Sequence, residues 1–268
     1  MLDHYRQETR GISMPDGLKP RVREYWEKEP CGSGTNITGN YIEGTPDWYQ
    51  SIEEHRYKVE PFIHSIAQFT RHRGKKILEV GVGAGTDHLQ WARAGAECYG
   101  VDLTDAAIRM TENHLRIHNL SSNLTRMDAE ALPYNDDSFD LVYSWGVIHH
   151  TENPEKIIEE IRRVLRPGGI FIGMMYGRHS LVAVRLWITH ALLKGKPLRS
   201  LRDVVWNHME SLGTKAYTRA ELKIMFRDFR EIEILPILTS YDTAGWPSWL
   251  TRFFPKDWGW FTGITAIK

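Results

Sequence analysis

The sequence feature that most constrains the fold is the run of residues 77–87, ILEVGVGAGTD. It starts with a short, mostly apolar segment typical of a buried strand and continues directly into Gly81, Gly83 and Gly85. Glycine adopts backbone conformations that other residues avoid, and it lets a ligand approach the main chain closely. A helix that begins after such a loop offers unpaired N–H groups and a partial positive charge. The run therefore predicts a strand, a tight turn and a helix start that bind a ligand together.

Three side chains near this loop indicate which kind of ligand it binds. A dinucleotide-binding loop has its third glycine at position 86, where this chain has Thr86. Glu79 stands two residues before Gly81, where its carboxylate would repel a pyrophosphate but suit an ammonium group. Asp102 follows 21 residues after Gly81, at the end of the next predicted strand, where a carboxylate can bind both hydroxyls of a ribose. These residues argue against NAD and favour a nucleoside that carries an amino acid.

Strands and helices alternate along most of the chain from residue 75 onward. Thr104 has the position of a helix N-cap, and the sequence RPGG at 166–169 is typical of a helix end followed by a turn. The predicted strands are 77–80, 98–101, 124–128, 139–145, 170–175, 231–238 and 262–267, and the predicted helices are 85–94, 104–118, 154–165 and 219–227. This order predicts an α/β fold with a doubly wound, mostly parallel sheet and helices on both faces.

Two segments are interpreted as additions to this main domain, which we place at 75–268. Residues 1–74 are aromatic and charged, with helical spacing of apolar residues at 47–70, and we interpret them as an N-terminal helical cap. The alternation stops at about 177–217, where an apolar helix predicted at 181–193 indicates an inserted helical lid.

A third segment, 246–261, contains four of the ten tryptophans and is interpreted as an aromatic-rich hairpin. Three roles stay open for it. It completes the core, forms an apolar wall for a substrate, or touches a membrane interface, where amphipathic aromatic side chains are favoured.

Composition and charge argue against several classes of protein. Lys plus Arg and Asp plus Glu both number 34, and a net charge of zero argues against nucleic acid as the main partner. The two cysteines, Cys31 and Cys98, lie far apart and indicate neither a disulfide framework nor a metal site. The polar N-terminus lacks the apolar stretch of a signal peptide, and no run approaches the ~18 apolar residues of a membrane span. We therefore expect a cytoplasmic protein with no metal and no transmembrane segment.

Four segments carry a resemblance to a known family: ILEVGVGAGTD, YGVDLT, MDAEALPYNDDSFDLVYSWGVIHHTENP and IRRVLRPGGIFI. In this order, over about residues 75–176, the chain resembles the class I S-adenosylmethionine-dependent methyltransferases, in the small-molecule branch that includes menaquinone and ubiquinone C-methyltransferases. The resemblance implies S-adenosylmethionine as the cofactor and a Rossmann-like, seven-stranded sheet whose last strand is antiparallel. It says little about the acceptor molecule, its acceptor atom or the oligomeric state.

The resemblance also implies roles for residues at the carboxyl ends of the strands. Glu79 and the glycine loop would hold the methionine part of the cofactor, and Asp102 would bind the ribose hydroxyls. Leu103 would pack on the adenine, and Asp128 would accept a hydrogen bond from the adenine amino group. The implied cofactor-binding set is Glu79, Gly81, Gly83, Gly85, Asp102, Leu103, Asp128, Ala129, Ser144 and Trp145, of which the last two would line the path between cofactor and acceptor.

Methyl transfer from a sulfonium needs alignment and exclusion of water, and it needs a base only when the accepting atom loses a proton. His149 and His150 follow the fourth predicted strand and are the candidates for such a base. Packing against the loop is the alternative role for both. The candidates for the substrate pocket are Tyr57, Tyr176, His208 and Tyr217.

The leading hypothesis is a methyltransferase that acts on a small organic molecule. A variant of this hypothesis has an aromatic or apolar acceptor of the quinone or lipid type. An NAD(P) oxidoreductase is disfavoured by Glu79 and Thr86. From a different class, a cofactor-binding partner protein that has lost catalysis also stays open.

Overall fold

Seven strands form one sheet in the order β3-β2-β1-β4-β5-β7-β6. The structure is a computed structural model that describes residues 17–255 and 257–268, so the first sixteen residues of the predicted cap lie outside the described range. The strands are β1 (Lys76–Val80), β2 (Glu97–Asp102), β3 (Asn123–Arg126), β4 (Phe139–Trp145), β5 (Leu165–Tyr176), β6 (Glu231–Ile237) and β7 (Phe261–Ile267).

Strand direction within the sheet follows the predicted pattern. β1 pairs in parallel with β2 and β4, β2 pairs in parallel with β3, and β4 pairs in parallel with β5. β7 is antiparallel to both of its neighbours, β5 and β6. These pairings confirm the prediction of a doubly wound, mostly parallel sheet whose last strand is antiparallel.

The helices lie before, between and after the strands. They are α1 (Leu18–Lys28), α2 (Thr35–Thr38), α3 (Pro46–Val59), α4 (Ile63–Ala67), α5 (Thr86–Arg93), α6 (Asp105–Ile117), α7 (Pro154–Val164), α8 (Leu181–His190), α9 (Leu201–His208), α10 (Arg219–Met225), α11 (Ser240–Thr243) and α12 (Ser248–Thr251), with 3-10 turns at Phe69–His72, Ile148–His150 and Leu192–Lys194. Thr104 caps α6 as predicted, since its side chain accepts a hydrogen bond from the Ala107 N–H. None of the described helices is long and apolar enough to cross a membrane.

β5 begins five residues before its predicted start, because the RPGG sequence is part of the strand. Leu165 pairs with Phe139 of β4, and the register shifts before the next pair. Gly168 has a φ of 78°, and its N–H donates to the carbonyl of Lys268 over 3.0 Å. The first residues of β5 are therefore irregular but paired with the chain on both sides. The sequence predicted a turn at this position.

Two apolar layers, one on each face of the sheet, form most of the core, and a smaller cluster joins α3 to the glycine loop. Alternate residues of a strand point to opposite faces, so Ile77 and Leu78 of β1 belong to different layers. The first layer contains Tyr143, Trp145 and Tyr176 together with Trp91 of α5, and the second contains Ile157, Ile158 and Ile161 of α7. Burial on both faces explains why the central strands are almost continuously apolar in sequence.

The helices before residue 75 lie over the carboxyl edge of the sheet, the edge where the parallel strands end. The Lys19 ammonium of α1 donates to Asp128 over 2.6 Å, and the Trp26 ring lies 5.3 Å from that of His150. The Glu27 carboxylate accepts from the N–H of Asp105, the first residue of α6, over 2.9 Å. α1 therefore spans the carboxyl edge from β3 to β4. That residues 1–74 form a separate cap stays a prediction.

Two other expectations for the flanking segments need correction. The helical region predicted at 47–70 is divided, since α3 ends at Val59 and α4 begins at Ile63. Pro61 stands between them and cannot donate a backbone hydrogen bond. The hairpin predicted at 246–261 is wrong: α12 occupies part of this segment, and β7 lies between β5 and β6. Because both edges of β7 are already paired, the aromatic segment has no strand with which to form a hairpin.

Candidate functional site

The three glycines of the loop after β1 have positive φ angles of 84°, 54° and 77° at Gly81, Gly83 and Gly85. A side chain at Gly81 would overlap Val147, and one at Gly85 would come within 2.9 Å of the Thr111 backbone. A Cβ at Gly83 would meet nothing within 4 Å. Gly81 and Gly85 are therefore required by packing, whereas Gly83 is the point at which the loop faces open space.

Asp102, at the end of β2, lies directly beside this loop. Its carboxylate accepts hydrogen bonds from the Gly83 N–H over 3.2 Å and from the Thr104 N–H and hydroxyl over 2.9 and 2.8 Å. Burial raises the pKa of Asp102, and these hydrogen bonds oppose the shift. A carboxylate has about four acceptor positions, so Asp102 can still accept bonds from ligand hydroxyls next to Gly83.

Glu79 is buried and contacts a histidine that the sequence did not single out. His88 Nδ1 lies 3.0 Å from the Glu79 carboxylate, and His88 Nε2 lies 2.8 Å from the Ser122 hydroxyl. Burial raises the pKa of Glu79 well above its usual range and lowers that of His88 to about 4. His88 of α5 therefore fixes the position of the Glu79 carboxylate. A cationic group of a ligand would stabilise the ionised form of Glu79.

A buried ion pair joins α3 to the start of α5. Arg56 donates from Nε and Nη2 to the two oxygens of Asp87 over 3.1 and 2.5 Å, and the hydroxyls of Tyr57 and Tyr143 donate to the same carboxylate over 3.0 and 2.9 Å. Burial alone would raise the pKa of Asp87, but the Arg56 guanidinium and these bonds hold it below its usual range. Tyr57, predicted in the substrate pocket, thus lies beside the glycine loop.

The predicted adenine-binding residues lie next to α1. Lys19 bridges the carboxylates of Asp128 and Glu130 over 2.6 and 2.8 Å. Ala129 is partly buried against the second core layer, and Leu103 borders a groove of about 550 Å³ along α1. The groove is otherwise lined by Lys19, Pro20, Arg23, Glu24, Glu27 and Lys28. An adenine ring at this position would contact α1.

Two carboxylates lie beyond the ends of β4 and β5. The Trp145 indole N–H donates to Glu60 over 2.8 Å, and the Tyr176 hydroxyl donates to Glu210 over 3.0 Å. His150 Nε2 lies 3.5 Å from the same Glu210 oxygen. Burial raises the pKa of both Glu60 and Glu210.

Several partly exposed side chains lie close together at this position. The Glu210 side chain is 38% exposed and the Tyr241 residue 40%, and Cys31 is also exposed. Desolvation and the charges of Glu60 and Glu210 raise the pKa of Cys31 and that of Tyr241 to about 12. We call this group of interacting side chains the acidic cluster and define it by Cys31, Glu60, Tyr176, Glu210 and Tyr241.

The two candidate base residues are buried. The His149 ring lies 3.8 Å from that of Tyr176, and neither of its nitrogens has a hydrogen-bond partner among the described residues. His150 Nδ1 lies 3.0 Å from the hydroxyls of Ser211 and Thr214. Burial lowers the pKa of His149 well below its usual range and that of His150 to about 3. Groups with such pKa values are weak bases at neutral pH, and the geometry favours packing roles for both.

Three other candidate residues do not point their side chains into the site. Ser144 is fully buried, and its hydroxyl donates to the Val80 carbonyl over 2.9 Å, which ties β4 to β1. The His208 ring stacks on that of His190 at 4.1 Å, between α8 and α9. Tyr217 belongs to the second core layer, on the other face of the sheet from Tyr176. Ser144 was predicted at the end of a strand, and His208 and Tyr217 after the predicted lid, but the direction of each side chain is set by packing.

Comparison with known proteins agrees with this geometry. Residues 78–173 match the family model described as a methyltransferase domain. The chain is 36% identical over 141 residues to phthiotriol/phenolphthiotriol dimycocerosates methyltransferase 1 of Mycobacterium ulcerans, covering 52% of this chain and 49% of that protein. It is 30% identical over 126 residues to the ubiquinone biosynthesis O-methyltransferase of Coxiella burnetii, covering 46% and 54% respectively. The chain thus spans about half the length of the curated relatives it matches.

A solved structure with a similar fold covers more of the chain. Magnesium protoporphyrin IX methyltransferase from Synechocystis, solved with bound S-adenosylhomocysteine, superimposes with a TM-score of 0.60 over 92% of this chain and 98% of that chain, at 13% identity. At this identity the likeness concerns the fold. Residues 78–173 are therefore similar to a methyltransferase domain, and the sheet, the glycine loop and Asp102 resemble those of the class I S-adenosylmethionine-dependent methyltransferases.

Proposed function

We propose that this chain transfers the methyl group of S-adenosylmethionine to a small apolar acceptor of the quinone or lipid type. The observation that carries the proposal is the position of the acidic cluster, at the ends of β4 and β5, on the same edge of the sheet as the glycine loop and Asp102. The residues that would bind the cofactor and a group of acidic and aromatic side chains share this edge. Two relatives that share its methyltransferase region are named for a ubiquinone pathway and for a dimycocerosate lipid, which supports an acceptor of this class.

The cofactor fits the carboxyl edge of β1 and β2. Gly83 faces open space, and the Asp102 carboxylate beside it would bind the ribose hydroxyls. Glu79 would hold the methionine end, with Leu103 and Asp128 at the adenine. When bound, the cofactor supplies a methyl group on a sulfonium, and the protein aligns that group with the acceptor and excludes water.

Glu210 is the residue that we propose takes the acceptor's proton. Its side chain is 38% exposed within the acidic cluster, and its raised pKa makes it a stronger base than a fully exposed glutamate. Tyr176 and His150 contact the same carboxylate and would position it. The acceptor atom in this proposal is therefore a hydroxyl oxygen, which loses its proton when it is methylated.

The proposed partner is a small molecule and the proposed location is the cytoplasm. The zero net charge supports an acceptor other than nucleic acid. The two distant cysteines, which form no disulfide pair, support a reducing compartment.

Transfer of a labelled methyl group tests the proposal. The full chain is incubated with S-adenosylmethionine labelled in the methyl group and with three kinds of acceptor: a prenylated catechol, a long-chain diol and a water-soluble amine. We expect label in an organic-soluble product of the catechol or diol, identified by mass spectrometry, and none in the amine. Cofactor binding without label in any acceptor would instead support a binding protein that has lost catalysis.

A further inference from the structure

A loop between α8 and α9 exposes apolar side chains to solvent. Residues 192–198, LLKGKPL, which we call the leucine–lysine loop, are all exposed and contain three leucines and two lysines. Leu193 is 72% exposed and Leu198 is 99% exposed. Burial of leucine is favourable, so a loop that presents several of them outward fits a surface that meets an apolar partner.

The loop holds this arrangement through defined hydrogen bonds. The Gly195 N–H donates to Leu192 O over 3.0 Å, and the Lys196 N–H donates to Ala191 O over 2.9 Å. At its end, the Trp187 indole donates to Arg199 O over 2.8 Å. Because hydrogen bonds hold the backbone at both ends of the loop, the exposed leucines lie on an ordered turn.

The chain around the loop is rich in basic residues, although Arg178 pairs with Glu221 and Arg199 pairs with Asp203. Residues 178–202 contain no Asp or Glu, in a protein whose total charge is zero. The six basic residues of this stretch are Arg178, Arg185, Lys194, Lys196, Arg199 and Arg202. Leucines on either side of two lysines are complementary to an anionic lipid surface, which offers both hydrocarbon and negative headgroups.

A second exposed apolar segment follows a part of the chain that is bonded to α8. Trp249 is 62% exposed and Phe253 72% exposed, on one side of α12 and the turn after it. The Arg185 guanidinium of α8 donates to Ala244 O, which fixes the chain before α12 to α8. Leu192 follows Arg185 by seven residues, about 10 Å along the helix direction.

This region also adjoins an aromatic path toward the cofactor site. The ring of the half-exposed Tyr241 lies 5.9 Å from that of Phe261. Phe62 lies 6.2 Å from Phe261 and 6.2 Å from Trp145, at the end of β4. An apolar molecule that entered beside α11 would meet aromatic side chains along the whole path.

We propose that the leucine–lysine loop, together with Trp249 and Phe253, docks on the surface of an anionic lipid bilayer. The bilayer is favoured over a second copy of the chain, because two copies joined here would bring the same basic side chains together. The docking places the mouth of the aromatic path at the membrane surface. It would supply the lipid-type acceptor of the proposed function, but it does not depend on catalysis.

Vesicle binding by the full chain tests the docking. Large vesicles of phosphatidylcholine, and of equal parts phosphatidylcholine and phosphatidylglycerol, are sedimented with the protein at low and high salt. We expect binding to the anionic vesicles that weakens at least about tenfold at high salt, since screening removes the attraction of the basic residues. No binding, or equal binding to both kinds of vesicle, would overturn the proposal.

Two variants separate docking from a general apolar effect. Leu193→Ser/Leu198→Ser should weaken binding to anionic vesicles at least about tenfold, because two inserting side chains are lost. Ile224→Ser is the matched control, since Ile224 is 61% exposed on α10 and should leave binding unchanged. Equal loss in both variants would contradict the proposal. So would a dimer in analytical ultracentrifugation that only the double variant abolishes.

The result is independent of the methyl-transfer test. Unchanged S-adenosylhomocysteine affinity and circular dichroism in the double variant would show that its fold and cofactor site are intact. Transfer to a soluble acceptor without vesicle binding would refute only the docking, and vesicle binding without transfer would refute only the proposed function.

Discussion

The three glycines of the loop after β1 have different tasks, although they look alike in the sequence. Gly81 and Gly85 leave room for Val147 and Thr111, so they are required by the packing of the protein itself. A side chain at Gly83 would contact no other residue of the chain, and the Gly83 N–H donates to Asp102. The space beside Gly83 is where the cofactor would approach the main chain.

This difference predicts opposite outcomes for two alanine variants. Gly83→Ala should lower the free energy of unfolding by only about 1 kcal/mol, the cost of a left-handed alanine, but should weaken S-adenosylhomocysteine binding strongly because the Cβ occupies ligand space. Gly85→Ala should destabilise the fold more, because its Cβ meets the Thr111 backbone. Urea unfolding and calorimetric titration measure the two effects. Full cofactor affinity in Gly83→Ala would show that the ligand lies elsewhere.

Glu210 predicts a pH dependence of methyl transfer. Only the ionised carboxylate accepts a proton, and burial raises its pKa, so kcat should fall as the pH falls through that raised pKa. Glu210→Gln should remove this acidic limb and lower kcat by about 10²- to 10⁴-fold, with a smaller effect on KM. The measurement is the pH–rate profile with the acceptor identified by the transfer assay.

Glu60→Gln is the matched control, because it makes the same change of charge in the acidic cluster at a residue bonded to Trp145. We expect it to keep the acidic limb. Loss of the limb in Glu60→Gln and its retention in Glu210→Gln would assign the base to Glu60 instead.

At the scale of elements, the contact between α3 and α5 depends on the buried pair Arg56–Asp87. Arg56→Met should lower the free energy of unfolding by about 3 kcal/mol or more, because it leaves the Asp87 charge buried without its cation. Arg56→Met/Asp87→Asn should lose less, since no unpaired charge remains. Arg23→Met, which breaks an exposed pair with Asp105, should cost no more than about 1 kcal/mol. In urea unfolding, a double variant that is less stable than Arg56→Met would contradict this account.

The elements with local signals could be predicted from the sequence. The run through β1, the glycine loop and α5 has glycines at fixed positions, and β4 is a strongly apolar strand, so both were placed within a residue or two. The predicted position of Asp102 beside the loop also matches, because the carboxyl ends of parallel strands share one edge. Local pattern and sheet topology are sufficient for these parts.

The remaining residues of the site depend on contacts that are distant in sequence. His88 reaches Glu79 because α5 packs its first turn on β1, and Glu210 reaches Tyr176 only because the insert returns to the sheet at Tyr217. The Ser144 hydroxyl likewise donates to the carbonyl of Val80, a residue that is distant in sequence. The spacing of residues within one segment does not show to which core layer a side chain belongs. The contacts of Glu210 and Tyr176 could therefore not be predicted from the sequence.

On the scale of the whole molecule, the two sides of the carboxyl edge have different characters. The methyltransferase domain match ends at residue 173, just before Tyr176, and it includes the glycine loop and Asp102. The acidic cluster and the leucine–lysine loop are built largely from the helices before β1 and the segments after β5. The residues proposed to bind the cofactor therefore lie mostly within the matched region, whereas those proposed for the acceptor lie mostly outside it.

Calorimetric titration with S-adenosylhomocysteine tests the central claim most directly. The wild-type chain should bind one equivalent of S-adenosylhomocysteine and no NAD. Asp102→Ala should weaken that binding by about 1–3 kcal/mol, or roughly 5- to 150-fold, because charge-assisted hydrogen bonds to the ribose are lost. Absence of binding to the wild-type chain, or unchanged affinity in a folded Asp102→Ala variant, would contradict the assignment of the cofactor site to the glycine loop and Asp102.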